Sequence, residues 1–142
     1  MKKLRTLKDM NLLVDMKYRK DTEAFSKLLQ QEEMLRNSLI KLDQYRAEGG
    51  HDHNYHQRAI GADIMWHAWV GKKKQEINQR LAHVLAKKEL CREQVKASYG
   101  KVLVTRELAT AHSLQTQKRK AQIQLLNAIG AHANPLLTDK AN

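Results

Sequence analysis

Three histidines near the middle of the chain form its best candidate metal site. His53 and His56 follow His51 by two and five residues. Imidazoles at this spacing in a flexible segment can converge on one divalent ion. The group has a single acidic neighbour, Asp52, and no nearby cysteine. We therefore interpret the segment as a solvated turn and predict neither a bound metal nor a cofactor.

The residue patterns that support catalysis are missing from this sequence. It contains no Gly-rich phosphate loop, no serine or cysteine nucleophile beside a credible base, and no acidic pair on a framework that forms a pocket. We expect that the protein is not an enzyme and has no small-molecule substrate.

Trp66 and Trp69, the only tryptophans, are the strongest candidates for a binding surface. Side chains three residues apart project from nearly the same face of a helix. The predicted hydrophobic seam passes through His67 and Val70 in this segment, so both rings should flank it and be partly exposed, where indoles are typical interface anchors. The alternative is that the two rings cap the core.

A cluster of cations opens the chain. Lys2, Lys3, Arg5 and Lys8 lie in the first turns of the first predicted helix, where the helix dipole favours anions. A second basic run, residues 118–120, should lie at the same end of the fold. These cations either solubilise a chain terminus or dock the protein to an acidic surface.

The elements that position these residues are two helices. In the first half of the chain a three-then-four spacing holds one heptad register over six repeats, as in a coiled coil. It predicts a helix from about residue 3 to about residue 48. The seam positions are Leu4, Leu7, Asn11, Val14, Tyr18, Asp21, Phe25, Leu28, Glu32, Leu35, Leu39, Leu42 and Arg46.

The chain is expected to turn at about residues 49 to 58, because Gly49-Gly50 can adopt positive φ and a polar stretch follows them. A second, longer helix is expected from about residue 59 to about residue 132, before Pro135, with a frayed tail at 133–142. The three-then-four spacing of apolar residues in this helix is interrupted at His112, Thr116 and Arg119, and it returns only at Ile123 and Leu126.

We therefore predict an all-α fold, a long antiparallel two-helix coiled-coil hairpin whose second helix is longer than the first, forming one domain over residues 1–142. A turn centred in the predicted segment would make residue i of the first helix face roughly residue 107 minus i, leaving an overhang after about residue 105. Aromatic residues make up only 5% of the chain, which suits a narrow seam better than a thick core.

The charge indicates the class of partner. The chain has 26 Lys and Arg against 15 Asp and Glu, a formal net charge of +11, so acidic proteins or nucleic acids should attract it. No apolar run approaches the length of a membrane span, and the first residues lack the apolar core of a signal peptide. The single cysteine, Cys91, agrees with a reducing compartment, and we expect a cytoplasmic protein.

The layout of the chain resembles that of the FliJ/YscO family, the small central-stalk proteins of flagellar and injectisome type III export machines. The likeness covers nearly the whole chain: a basic start, a first helix with a Leu-rich end, a polar turn, and a longer second helix that opens with aromatic residues. The residues that carry it are Leu39, Leu42, Tyr45, Arg46, Trp66, Trp69, Val70, Ile77 and Leu81.

This resemblance implies a stalk or adaptor that stands in the pore of a hexameric export ATPase, promotes its activity or assembly, and links it to the cytoplasmic part of the export gate, a membrane protein. It also implies a role in escorting export chaperones. By position, the residues implied to contact the gate are Leu42, Tyr45, Trp66, Trp69 and Val70. The residues implied to face the ATPase ring are Lys2, Lys3, Arg5 and Lys8.

Two other functions fit the sequence. A basic coiled coil can lie along a nucleic-acid backbone, although Arg, the better ligand for phosphate, is the minority among the cations. A coiled coil that only assembles with itself is the other possibility. Neither the flagellar or injectisome setting nor the oligomeric state follows from the residues.

Overall fold

The computed structural model describes residues 2–51 and 61–133, which form two helices. Helix α1 spans Lys2–His51 and helix α2 spans Ala62–Ala133. No strand occurs within these ranges. The sequence explains this helical content, since it has one proline, six glycines and an abundance of strong helix formers.

The helix boundaries differ from the predicted ones around the turn. Helix α1 continues through Gly49-Gly50 to His51, and α2 begins at Ala62 after Gly61, whose φ is 73°. Glycine inside a helix costs only about 1 kcal/mol relative to alanine, so two glycines do not force a helix to end. The positive-φ glycine of this region is Gly61, not Gly49 or Gly50. The predicted tail from residue 134 onward lies outside the described ranges.

The structure divides into two compact units, and residues 17–98 form one of them. Here α1 and α2 pack antiparallel, as two ion pairs between the helices show: Lys74 with Asp43, and Lys88 Nζ with Glu32 Oε2 at 2.6 Å. Val70 is 1% exposed and Leu81 is buried as well. The predicted seam positions of α1 from residue 18 to residue 42 are all buried or half-buried, which confirms the heptad register.

The second unit contains residues 1–16 and 99–142, of which 2–16 and 99–133 are described. The helices are antiparallel here too: Arg106 Nη2 lies 3.6 Å from Asp15 Oδ1, and the earlier Leu7 lines a groove with the later His112. Val102 is 1% exposed, and the buried Thr105 donates its hydroxyl hydrogen to the carbonyl oxygens of Lys101 and Val102. The predicted fold class, an antiparallel two-helix hairpin with the longer helix second, is confirmed.

The predicted pairing between the helices is wrong by more than two turns. The residue numbers of the interhelical ion pairs add up to about 117 to 121 instead of about 107. The later end of α1 and the later start of α2 account for part of this difference, because moving the centre of the turn by n residues changes the sum by 2n. As a result His112 and Thr116, where the stripe was predicted to fail, are half-buried. Ile123 and Leu126, where it was predicted to return, are 57% and 66% exposed.

No helical stretch within the described ranges combines the length and hydrophobicity that crossing a membrane requires.

Candidate protein-binding surfaces

The two tryptophans stack on each other at the surface of the unit formed by residues 17–98. The ring centroids of Trp66 and Trp69 are 5.2 Å apart and their planes differ by 20°. Trp66 is 38% exposed and Trp69 is 46% exposed. Both rings lie in the first turns of α2, which begins at Ala62 directly after Gly61. Stacking holds two large apolar rings in one orientation while leaving much of their surface open to solvent.

Residues of α1 extend this aromatic surface. Leu42, Tyr45 and Trp69 line one shallow groove between the helices, with a volume of about 250 Å³. Tyr45 is 55% exposed and Leu42 is half-buried. We call the set of Leu42, Tyr45, Trp66 and Trp69 the hairpin-end cluster. The structure thus brings together four of the five residues that the resemblance assigns to gate contact.

Val70, the fifth residue, has a different place. Its side chain is 1% exposed, so it forms part of the core and offers almost no surface to a partner. This burial follows from its position in the seam, one residue after Trp69. Val70 therefore supports the cluster by fixing the backbone that carries the rings.

Two exposed apolar residues next to the cluster were missed in the sequence. Ile64 is 74% exposed and Met65 is 76% exposed, in the first turn of α2. Met65 precedes Trp69 by four residues, a spacing that places the two side chains on one helix face. The sequence did contain a signal for this exposure, the three consecutive apolar residues Ile64, Met65 and Trp66. A narrow seam between two helices cannot bury all three of them.

Charged groups surround the cluster. The rim of its groove includes Lys41 and Lys73, and Lys73 Nζ donates a hydrogen bond to Glu76 Oε2 at 3.0 Å. This hydrogen bond, with the positive charge of Lys73, lowers the pKa of Glu76. At the start of α2, His67 Nε2 lies 3.3 Å from Asp63 Oδ1. Asp63 is in the first turn of the helix, where the helix dipole favours a negative charge.

Two acidic residues of α1, Asp21 and Glu32, lie at seam positions of this unit. Asp21, 7% exposed, accepts a hydrogen bond from Lys17 Nζ of its own helix at 2.7 Å, and Ser98 of α2 also contributes to lowering its pKa. The Lys17 bond lowers the pKa of Asp21 against the opposing effect of burial. Glu32 accepts hydrogen bonds from Lys88 and Arg36, and the bond from Lys88 contributes most to lowering its pKa. Of these contacts, the ion pair of Lys88 with Glu32 joins the two helices, so a shift of register would separate it.

The basic residues of the chain start belong to the other unit. Lys3, Arg5 and Lys8 are exposed along the first turns of α1, and Lys2 begins the helix. The first turn of α1 contains no acidic residue, and none of these four cations forms an ion pair with a described residue. Residues 118–120 of the same unit are exposed as well. We call Lys2, Lys3, Arg5 and Lys8 the basic terminal group.

The histidine cluster cannot be placed in this way, since the His51 side chain, His53 and His56 lie outside the described residues. Within the ranges that the structure covers, no group of three or more His, Cys, Asp or Glu residues is arranged to hold a metal ion.

Comparisons of the chain with protein-family models, with curated proteins and with solved structures find no match. The two surfaces are therefore interpreted from their own geometry and charge.

Proposed function

We propose that this protein is a non-enzymatic stalk or adaptor of a type III protein export apparatus, as its resemblance to the FliJ/YscO family suggests. In this proposal it works at the cytoplasmic face of the membrane that contains the export gate. It binds the hexameric export ATPase, promotes its assembly or activity, and links it to the cytoplasmic part of the gate. Escort of export chaperones is a further part of the same proposal.

The observation that carries the proposal is the exposed, stacked pair of Trp66 and Trp69 beside Tyr45. Tryptophan and tyrosine are enriched among the residues that dominate the energy of protein interfaces. An exposed aromatic patch of this kind is unfavourable in water, so a partner protein that covers it gains the hydrophobic free energy of the exposed parts of both rings. In the proposal this partner is the export gate.

The charge of the other unit supports a second contact. Its described part contains nine Lys or Arg residues and three Asp or Glu residues. Such an excess attracts acidic protein surfaces at long range. In the proposal the basic terminal group docks to the ATPase ring, and the two contacts use different units of the chain.

The same excess of cations favours the alternative, binding to RNA or DNA. The two functions differ in their response to salt, because phosphate binding releases condensed counterions and weakens steeply as salt rises. A contact anchored by aromatic residues weakens less.

The test is to add the purified full chain to the export ATPase of its own organism at physiological salt and to measure ring assembly and ATP hydrolysis. A variant with the four cations of the basic terminal group replaced by glutamine should lose most of the stimulation. The matched control replaces four exposed cations of the other unit, Arg19, Lys20, Lys27 and Lys72, in the same way and should retain it. If the intact chain leaves the ATPase unchanged and shifts RNA at the same salt, the nucleic-acid function replaces the proposed one.

A further inference from the structure

A second groove between α1 and α2 lies in the unit formed by residues 17–98. It has a volume of about 540 Å³, and it is lined by Gln31, Met34, Leu35, Ser38, Arg80, His83, Val84 and Lys87. Its floor contains the half-buried seam residues Leu35 and Val84, and Met34 beside them is 62% exposed. The groove therefore has an apolar floor that is open to solvent.

Arg80 and Lys87 line one rim of this groove, and they continue a row of cations that begins at Lys73. Lys73, Arg80 and Lys87 are spaced seven residues apart on α2. Each directly precedes a buried or half-buried residue, Lys74, Leu81 or Lys88, and so occupies a position that flanks the seam. Seven residues correspond to about 10.5 Å along a helix, so the three charges form a regular line. Lys73 also borders the groove of the hairpin-end cluster, and the row continues from one groove to the next.

The facing rim on α1 does not neutralise this row. Its residues at the corresponding spacing of seven are Gln31, Ser38 and Tyr45, none of which is acidic. In a coiled coil, charges at flanking positions are usually paired with opposite charges on the facing helix. Here Lys73 is paired with Glu76 on its own helix, and neither Arg80 nor Lys87 forms an ion pair with a described residue.

We propose that this groove binds an amphipathic α-helix of an acidic partner protein, as the third helix of a coiled coil. The apolar stripe of the partner helix covers Met34, Leu35 and Val84. Its flank carries carboxylates seven residues apart, which face Arg80 and Lys87. Charge complementarity and heptad spacing together define this ligand: the apolar floor needs an amphipathic helix, and the regular cation row needs acidic residues with the same period.

A second copy of this chain does not have that chemistry. Its sequence contains no two acidic residues separated by seven positions, and two copies with a net charge of +11 repel each other. The inference also stands apart from the proposed export function, because Arg80, Val84 and Lys87 do not belong to the hairpin-end cluster or to the basic terminal group.

The test uses a fluorescein-labelled synthetic helix of three heptads, with leucine at the two core positions and glutamate at one flanking position. Its binding to the full chain is measured by fluorescence anisotropy at physiological salt. We expect saturable binding, and about tenfold weaker binding when the glutamates of the peptide are replaced by glutamine, because two charge pairs are lost.

The protein variants complete the test. Arg80→Glu with Lys87→Glu should weaken binding of the glutamate peptide at least as much and should bind a lysine peptide instead. The matched control, Arg19→Glu with Lys20→Glu, makes the same change of net charge at exposed positions that do not line the groove. Circular dichroism verifies that each variant is folded, and the comparison of peptides on the unmodified chain does not depend on any variant.

Several outcomes would overturn the inference. They are no binding at 100 µM peptide, equal affinity for the glutamate and glutamine peptides, or the same loss in the control variant as in the groove variant. Self-association in sedimentation equilibrium that the groove variant abolishes would assign the groove to a second copy. An RNA strand that binds through Arg80 and Lys87 more tightly than the glutamate peptide would assign it to nucleic acid.

Discussion

Under the proposed function, replacing both tryptophans of the hairpin-end cluster by alanine should strongly reduce binding to the cytoplasmic part of the export gate. A fully exposed tryptophan presents roughly 250 Å² of surface. With Trp66 38% and Trp69 46% exposed, the two rings together offer about 210 Å² to a partner. At about 25 cal/mol per Å² this surface corresponds to at most about 5 kcal/mol of binding free energy.

The measurable loss should be smaller than this upper value. Alanine keeps part of the contact area, and a partner does not cover every edge of both rings, so we expect a loss of about 3 to 4 kcal/mol. That loss weakens the dissociation constant by about 100- to 1,000-fold. Isothermal titration calorimetry with the purified gate fragment measures it directly. Trp69→Phe alone should lose much less, because phenylalanine retains most of the apolar ring.

The matched control removes apolar surface at another place. Leu12 and Leu13 are 62% and 65% exposed and belong to the other unit, and replacing both by alanine should leave gate affinity within about twofold. Equal losses in the two double variants would mean that binding follows general hydrophobicity. Unchanged affinity after removal of both tryptophans would refute the assignment of the cluster to the gate.

Three further predictions concern the chain alone. Val102→Ala should destabilise the protein by about 2 kcal/mol in urea denaturation, because Val102 is 1% exposed, whereas Val104→Ala, at 55% exposure, should change stability by less than about 0.5 kcal/mol. The lowered pKa values of Asp21 and Glu32 mean that their stabilising effect is complete above the unfolded-state pKa and is lost as the pH falls through the lower folded-state pKa. Below about pH 4 the thermal unfolding midpoint should therefore decrease as the pH falls. It should decrease less steeply in a variant with Asn and Gln at these positions, and an equal dependence on pH in the two proteins would contradict this. Acrylamide should quench the emission of the two tryptophans efficiently in the free protein, and weak quenching would show that the rings are buried.

The heptad pattern predicted the helices and the seam well because the pattern is long. The α1 stripe from Tyr18 to Leu42 maintained one register over several repeats, and the structure buries or half-buries each of its positions. Periodicity of this length depends on the average of many side chains, so single polar members such as Asp21 and Glu32 do not obscure it.

The location of the turn could not be predicted with the same accuracy. Gly49, Gly50 and Gly61 can each adopt positive φ, and local propensity does not decide which of them does so. That choice depends on the side-chain packing of the whole hairpin. Because the register of the two helices depends on the turn, the error at Gly49-Gly50 also placed the predicted end of the paired region too early, at about residue 105. His112 and Thr116 are half-buried beyond that point.

The candidate sites were predictable only in part, because the spacing along one helix can be read from the sequence but the alignment of the two helices cannot. The spacing of Trp66 and Trp69 placed them beside the seam, and the structure leaves both partly exposed. Val70 was assigned to the surface by resemblance, although its seam position already predicted burial. The cation row at Lys73, Arg80 and Lys87 needed the structure, because only the interhelical alignment shows that Gln31, Ser38 and Tyr45 lie on the facing rim.

The measurement that tests the central claim most directly asks whether one chain binds the ATPase and the gate fragment at the same time. Size-exclusion chromatography with light scattering can determine the mass of the mixture at physiological salt. We predict a ternary complex with the intact chain, a complex with the ATPase alone for the double tryptophan variant, and a complex with the gate alone when the basic terminal group is neutralised. Competition between the two partners for one surface, or binding of neither, would contradict the account.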